Sequence, residues 1–279
     1  MAGSTTTTLN DLLPEIVAEA MFVAQERSIM RGLVKNYNIG PAQGKTITVP
    51  IYPAQSAAAV TEGAAVADTA ISTNGVTLTV DTVGIRTLVS DLALNSAASN
   101  VTADLGKLFG EAIATKVDAD LCALLGGFAN VTGGAAITAT AALVAQAAAL
   151  LRGRKVPVSD TAIVLHPYIA YDLKSSITNA WQNPLGDYAN EAMREGYLGM
   201  LFGIPVFENA NIVDTAGDSS GAIFHREALG LAMMGEMSIE SQRDASRIGT
   251  DIVASMQYGV GEIYDAYGQS LSFDSTLQN

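Results

Sequence analysis

The residues most able to support catalysis are Ser219, inside a Gly-Asp-Ser-Ser-Gly motif at 217–221, and the two histidines, His166 and His225. In serine hydrolases such a motif turns sharply from a strand into a helix and exposes the nucleophile. Here the motif leads into an apolar run, 222–225, that predicts a strand. No acid separates Ser219 from His225, so the order of serine, acid and histidine is missing. A hairpin loop is favoured, and a hydrolase that uses Ser219 is a remote alternative.

Three other candidate motifs lack the spacing that their chemistry needs. Residues 40–46 are one residue short of a phosphate-binding P-loop, and a predicted strand follows where a helix is required. Asp118 and Asp120 lie two positions apart on a predicted helix and face different directions, which argues against a metal pair. The single cysteine, Cys122, continues an apolar helical pattern and is interpreted as a small buried hydrophobe. We therefore expect no catalytic residue, no metal site and no cofactor.

Composition excludes several classes of function. The 279 residues are 49% hydrophobic and 15% charged, which is enough apolar material for a sizeable core. The net charge of −13 argues against a protein that grips phosphates, because such binding requires clustered lysine and arginine. The densest basic group, Arg152, Arg154 and Lys155, lies at a predicted helix end, where cations complement the helix dipole. We expect no membrane helix and see no secretory signal at the N-terminus.

One long segment of the chain, residues 46–85, contains no lysine or arginine. Strict alternation predicts a strand at 46–51, and a second alternating run at 76–80 can pair with it in a long hairpin. Residues 54–70 between them are rich in small side chains. We call residues 46–80 the ribbon. A two-stranded ribbon is marginal in isolation, so we expect it to dock on a neighbouring copy of the chain.

The clearest helical pattern covers residues 101–125, where apolar residues recur at three- and four-residue steps. This apolar set includes Leu108 and Leu121, which are both predicted to face the core. An earlier helix is predicted from Pro14 to Gly32. Later elements alternate and predict an α/β lobe followed by returning strands: a helix at 141–152, a strand at 162–166, a helix at 168–175, and strands at 204–207, 222–225, 228–233, 252–260 and 262–271.

The order of these elements resembles the HK97-fold major capsid proteins of tailed double-stranded DNA bacteriophages. Short phrases of the sequence resemble that family as well, at 44–50, 61–63, 162–167, 202–206 and 240–244. The resemblance extends from about residue 14 to residue 271. It implies an α+β, HK97-like capsid fold with an N-terminal arm, an extended β-hairpin loop, a peripheral domain with a long spine helix and an α/β axial domain.

The resemblance also implies a division of the chain into four parts. The N-terminal arm and helix take residues 1–35, and the extended loop takes 44–92. The other ranges are 36–43, 93–138 and 234–262 for the peripheral domain, and 139–233 and 263–279 for the axial domain. Within this division, the residues expected to contact another subunit are Glu62, Gly63, Asp68 and Arg86.

The family resemblance implies a structural protein and not an enzyme. It would assemble with identical copies into hexamers and pentamers of an icosahedral head, which encloses double-stranded DNA without sequence-specific binding. The expected place is the virion capsid, assembled in the host cytoplasm without a membrane, with separate scaffolding, portal and decoration proteins as further partners. Some relatives cross-link through a loop lysine; residues 46–85 contain none, so a non-covalent shell is expected. The alternative within this fold is an encapsulin-like shell around a protein cargo.

Overall fold

The computed structural model describes residues 28–40, 44–52, 70–92, 101–176 and 197–277, with isolated positions between 55 and 68. Most of the helix predicted from Pro14 to Gly32 lies outside the described residues, which begin just before a short helix, α1 (Met30–Leu33). Three longer helices follow: α2 (Val101–Ala123), α3 (Ala141–Gly153) and α4 (Pro167–Ser176). These three agree with the predicted helices to within about two residues, which is the usual uncertainty of a helix end.

A five-stranded sheet is built around β13 (Gly249–Glu262), a strand of 14 residues. It pairs antiparallel with three strands, β4 (Asp81–Ser90), β11 (Leu229–Met233) and β12 (Ser238–Asp244). A fifth strand, β1 (Lys35–Asn38), runs parallel to β11. Because β13 is the shared neighbour, this sheet joins segments that are far apart in the sequence.

A seven-stranded mixed sheet forms the second large element of the fold. Its strands are ordered β5 (Val131–Gly133), β14 (Gly268–Asp274), β10 (Asp218–His225), β6 (Thr161–Leu165), β8 (Ile204–Glu208) and β7 (Tyr197–Leu201), with β9 (Asp214–Thr215) paired to β10. All five residues of β6 are buried, as expected for a continuous apolar run in a central strand. The predicted strands at 162–166, 204–207 and 222–225 are confirmed.

The ribbon forms a separate two-stranded sheet. Its strands are β2 (Thr46–Ile51) and β3 (Asn74–Thr79), which pair antiparallel with Thr46 opposite Thr79. Alternate residues of β2 are exposed and half-buried, so one face carries its apolar side chains. The predicted hairpin is confirmed.

Two hydrophobic cores hold the sheets and helices together. The first packs α2 against the five-stranded sheet and also contains Val164 and Phe224 of the seven-stranded sheet. From α2 it takes a row of side chains that are at most 3% exposed: Phe109, Ile113, Val117 and Leu121. The second packs α3 and α4 against the seven-stranded sheet. With 23 residues, α2 is about 35 Å long and spans the first core as the spine helix.

The structure corrects the predicted position of Leu108, which is 58% exposed, whereas Leu121 is fully buried. Apolar residues between 101 and 125 occupy most of the helix circumference, so the periodicity alone does not determine which of them faces the core. The sheet covers the side that carries Leu105 and Phe109, and Leu108 lies away from it.

The strand predicted at 262–271 is also wrong in its boundary. Strand β13 continues to Glu262, a 3-10 turn follows at Asp265–Tyr267, and β14 begins only at Gly268. The turn is held by a distant contact, since the Asp265 carboxylate accepts a hydrogen bond of 2.7 Å from the Ala129 amide. Local alternation cannot reveal such a contact.

Candidate assembly surfaces

The residues of the hydrolase-like motif do not form a catalytic site. Ser219 is buried inside β10, and residues 216–217 before the strand have positive φ angles of 55° and 98°. Two such residues form the type I′ turn of a tight hairpin, and no helix follows. His225 lies six positions further along the same strand, about 20 Å away at the rise of a β-strand. The predicted hairpin loop is confirmed.

The two aspartates on the spine helix have different environments. Asp118 is 1% exposed and accepts a hydrogen bond of 2.7 Å from Ser28 Oγ. Asp120 forms an ion pair of 2.7 Å with Lys116 and accepts a hydrogen bond from the Tyr258 hydroxyl. The two carboxylates therefore face different neighbours, as the spacing predicts.

The remaining candidate residues serve the fold. Burial raises the pKa of the Cys122 thiol to about 12, so little nucleophilic thiolate exists at neutral pH. His166 and His225 each accept a hydrogen bond at Nδ1 from the backbone amide two residues further on. Strand β2 begins at Thr46, directly after the P-loop-like segment, whose residues 41–43 lie outside the described part. Among the described residues, no three metal-binding side chains converge, and no helix is long and apolar enough to cross a bilayer.

The base of the ribbon is anchored against glycines of the five-stranded sheet. Gly230 and Gly261 lie opposite each other in the register, and the Leu78 side chain, 2% exposed, contacts both. A Cβ at Gly261 would lie 2.5 Å from Leu78 Cδ2, and one at Gly259 would lie 2.0 Å from the carbonyl oxygen of Thr79. Side chains at these positions would exclude the ribbon. We call these three glycines, Gly230, Gly259 and Gly261, the glycine slot.

Beyond its base the ribbon is exposed. Every described residue from 55 to 73 is exposed, including Glu62, Gly63 and Asp68, which were predicted to contact another subunit. Large apolar side chains are exposed there too, between 50% and 76%: Tyr52, Val60, Val66 and Ile71. A concentration of exposed apolar groups is typical of an interaction surface.

Arginines are concentrated where β4 and β12 flank the start of β13. Arg86 donates hydrogen bonds of 3.2 and 2.5 Å to Asp251, and Arg243 donates bonds of 2.5 and 2.7 Å to Asp91. The Arg243 guanidinium holds the pKa of the Asp91 carboxyl below its usual range. The side chains of Arg86, Arg243 and Arg247 are still 57%, 42% and 57% exposed. We call these three residues the arginine rim.

Two carboxyl groups lie together where the chain passes from β13 to β14. Glu262 shares a hydrogen bond with Asp265, which is fixed by the Ala129 amide. Burial and, next, the negative charge of Asp265 raise the pKa of Glu262 to about 7. Glu262 therefore binds a proton more readily in the folded protein than in the unfolded chain.

We expect Glu262→Gln to weaken the pH dependence of stability between about pH 4.5 and pH 7. In that window the folded state binds more protons than the unfolded state, so the free energy of unfolding of the parent protein falls as pH rises. Because Glu262 is partly exposed, the change is about 1 kcal/mol. Urea unfolding at both ends of the window measures it, and equal slopes for variant and parent would contradict the assignment.

Solved structures that are similar to this fold include chains of bacteriophage capsids. The capsid of Ralstonia phage GP4 matches with a TM-score of 0.72 at 12% identity, covering 88% of this chain and 88% of that chain. The capsid of cyanophage P-SCSP1u gives 0.66 at 18% identity, covering 89% of each chain. A chain of Mycobacterium phage Che8 gives 0.65 at 23% identity, covering 82% of this chain and 85% of that one. The expected α+β fold of the HK97 type is confirmed.

The sequence leads to the same class. Residues 73–268, more than half of the chain, match the phage capsid protein family, and the chain belongs to that family. No curated protein is similar in sequence. The protein is thus a structural subunit of an icosahedral bacteriophage capsid that associates with identical subunits, and it is not an enzyme.

Two features of the structure were not predicted. The glycine slot could have been inferred, because Gly259 and Gly261 are two apart in a strand and so lie on one face. Asp118 lies one turn from Ala114 and Cys122 on the buried side of α2, which indicates a buried carboxylate. Neither signal identifies the residues that contact the glycines or bind Asp118, since those residues are distant in the sequence.

Proposed function

We propose that this capsid protein assembles into hexamers and pentamers of a phage head that forms in the host cytoplasm and encloses double-stranded DNA. The ribbon is the observation that carries the proposal. Its base is fixed at Leu78, whereas its described outer part exposes apolar side chains such as Val66 and Ile71. Such groups are buried when the ribbon docks on an identical subunit, which provides the free energy of association.

The ribbon of one subunit docks near the arginine rim of its neighbour. Glu62 and Asp68 are exposed, and no cation lies between residues 46 and 85. Arg86 remains 57% exposed although it binds Asp251 of its own chain. Opposite charges steer two subunits together and fix their register. Gly63, at a φ of +83°, provides a turn between the two acidic residues.

The four-part division expected from the resemblance is proposed with three strands reassigned. The sheet pairing favours counting β4 and β11 with the peripheral domain, because both pair with β13. Strand β5 likewise pairs with β14 and favours the axial domain. Apart from these three strands, the division stays as predicted, with 1–35 for the arm and helix and 44–92 for the extended loop. The peripheral domain takes 36–43, 93–138 and 234–262, and the axial domain takes 139–233 and 263–279.

Packaged DNA is enclosed without specific binding. The densest basic group is already engaged, since Arg152 donates to the carbonyl of Phe202 and Arg154 donates to those of Ala266 and Gly268. With a net charge of −13, the subunit repels a polyanion more than it attracts one. Scaffolding, portal and decoration functions belong to separate proteins in this proposal.

Electron microscopy of the overexpressed chain tests shell formation and docking together. The parent protein should form closed shells, and Arg86→Glu should lower the assembled fraction about tenfold because like charges then face each other. Combining it with Asp68→Lys should restore assembly. The control is Lys174→Glu, which breaks a comparable surface ion pair of 3.0 Å with Glu208; it should assemble like the parent.

Each outcome bears on a separate part of the proposal. A parent chain that stays monomeric under all conditions would reject shell formation. Shells that tolerate Arg86→Glu would reject only docking at the arginine rim. Nuclease-treated virions that retain a protein cargo and no DNA would favour the encapsulin-like alternative.

A further inference from the structure

Asp118 is a buried carboxylate in the C-terminal third of the spine helix. Its side chain is 1% exposed. It accepts hydrogen bonds from Ser28 Oγ at 2.7 Å, from the Ile29 amide at 3.1 Å and from Asn209 Nδ2 at 3.3 Å. The three donors come from two segments far from α2 in the sequence, so one carboxylate joins three parts of the chain.

Each donor is itself fixed by the surrounding structure. Ile29 directly precedes α1, whose first residue Met30 is fully buried. Asn209 follows β8 of the seven-stranded sheet, where its own amide donates to the Leu165 carbonyl at 3.0 Å and its Oδ1 accepts from the Asn211 amide at 2.9 Å. The carboxylate therefore connects the start of the described chain, the spine helix and the seven-stranded sheet at one point.

A contribution to the stability of the fold does not by itself explain why a carboxylate occupies this position. Burial raises the pKa of Asp118, and the hydrogen bonds from Ser28, Ile29 and Asn209 oppose that shift. Replacing buried charges by apolar groups of similar size is often neutral or stabilising, whereas a hydrogen-bonded charge imposes a defined geometry. The contribution of Asp118 is thus the relative position of the elements that it joins.

We infer that Asp118 is a positioning residue that fixes the angle between the spine helix and the seven-stranded sheet, and with it the curvature of the assembled shell. This inference rests on the proposed shell function. Along a helix of about 35 Å, a tilt of one degree displaces the far end by about 0.6 Å. Repeated over every subunit contact, such displacements change the diameter at which a shell closes.

The test compares Asp118→Asn with a matched control, Asp172→Asn. Asp172 is 2% exposed and also accepts from a serine hydroxyl and the next backbone amide, Ser275 Oγ and Thr276 N, both at 2.9 Å. It lies on α4 and does not join α2 to the sheet. Both variants should lower the unfolding temperature, but only Asp118→Asn should reduce the fraction of shells with the parent diameter, by about tenfold. Shell diameters are measured by electron microscopy.

Ser28→Ala covers the case in which Asp118→Asn does not fold, because it removes one hydrogen bond and keeps the carboxylate. We expect it to broaden the diameter distribution and lower the parent class about threefold. Parent diameters in both Asp118→Asn and Ser28→Ala shells, or an equal loss in Asp172→Asn, would overturn the inference. Failure of the parent chain to form shells would instead overturn the proposed function.

Discussion

Replacing Leu121 with aspartate should leave no folded protein. Leu121 lies on α2, and its side chain is fully buried in the core that this helix shares with the five-stranded sheet. Loss of the leucine side chain removes about 3 kcal/mol of stabilisation, and burial of a carboxylate costs several kcal/mol more. The total reaches the whole stability of a typical domain, about 5–15 kcal/mol. Circular dichroism of the purified chain and its soluble yield measure the outcome.

The control for this prediction is Leu108→Asp in the same helix. Leu108 is 58% exposed, so aspartate there remains hydrated and should change the free energy of unfolding by about 0.5 kcal/mol or less. A soluble, folded Leu121→Asp protein would contradict the packing of α2. A misfolded Leu108→Asp protein would contradict the orientation that distinguishes the two leucines.

We expect Gly259→Ala to displace the base of the ribbon. The new Cβ would lie 2.0 Å from the Thr79 carbonyl oxygen and 3.2 Å from Val80 Cα, so the backbone itself must move. Overpacking of this kind costs about 3 kcal/mol. Hydrogen exchange should accelerate at residues 74–80, while the spine helix keeps its protection.

Gly153→Ala is the matched control for the glycine slot. A Cβ at Gly153 meets nothing within 4 Å, and the residue ends α3. Its effect on the free energy of unfolding should stay within about 1 kcal/mol, because alanine is the better helix former. Unchanged exchange at 74–80 in Gly259→Ala would show that the ribbon base does not depend on the slot.

The helices and strands that could be predicted from the sequence are those that a local pattern of apolar and polar residues specifies. Strand β2 has the predicted bounds, 46–51, because strict alternation and a flanking turn specify both its face and its ends. The spine helix was recognised from the three- and four-residue steps of its apolar residues. Strand β1 carries the polar sequence Lys-Asn-Tyr-Asn and is a strand only because it pairs with β11 almost two hundred residues later. No local signal indicates that pairing.

The proposed assembly surface shows a similar division. Glu62 and Asp68 were predicted as contacts because they are the only charges in a stretch of small residues, and Gly63 because it predicts a turn there. The hydrogen bonds of Arg86 to Asp251 of its own chain were not predicted, since the two residues lie 165 positions apart. The role of Asp118 was missed because a carboxylate in a helix was considered only as a metal ligand. Its donors are a hydroxyl group, a backbone amide and the side-chain amide of Asn209, which leave no distinctive pattern in the sequence.

The glycine slot also determines when a newly made chain becomes competent to associate. Synthesis proceeds from the N-terminus, so Leu78 leaves the ribosome long before Gly230 and Gly261 exist to receive it. Until then, the ribbon has no fixed direction and cannot be presented to a sister molecule. In the proposed assembly, a product that ends before Gly261 therefore has no positioned ribbon, and the order of translation keeps it out of the lattice.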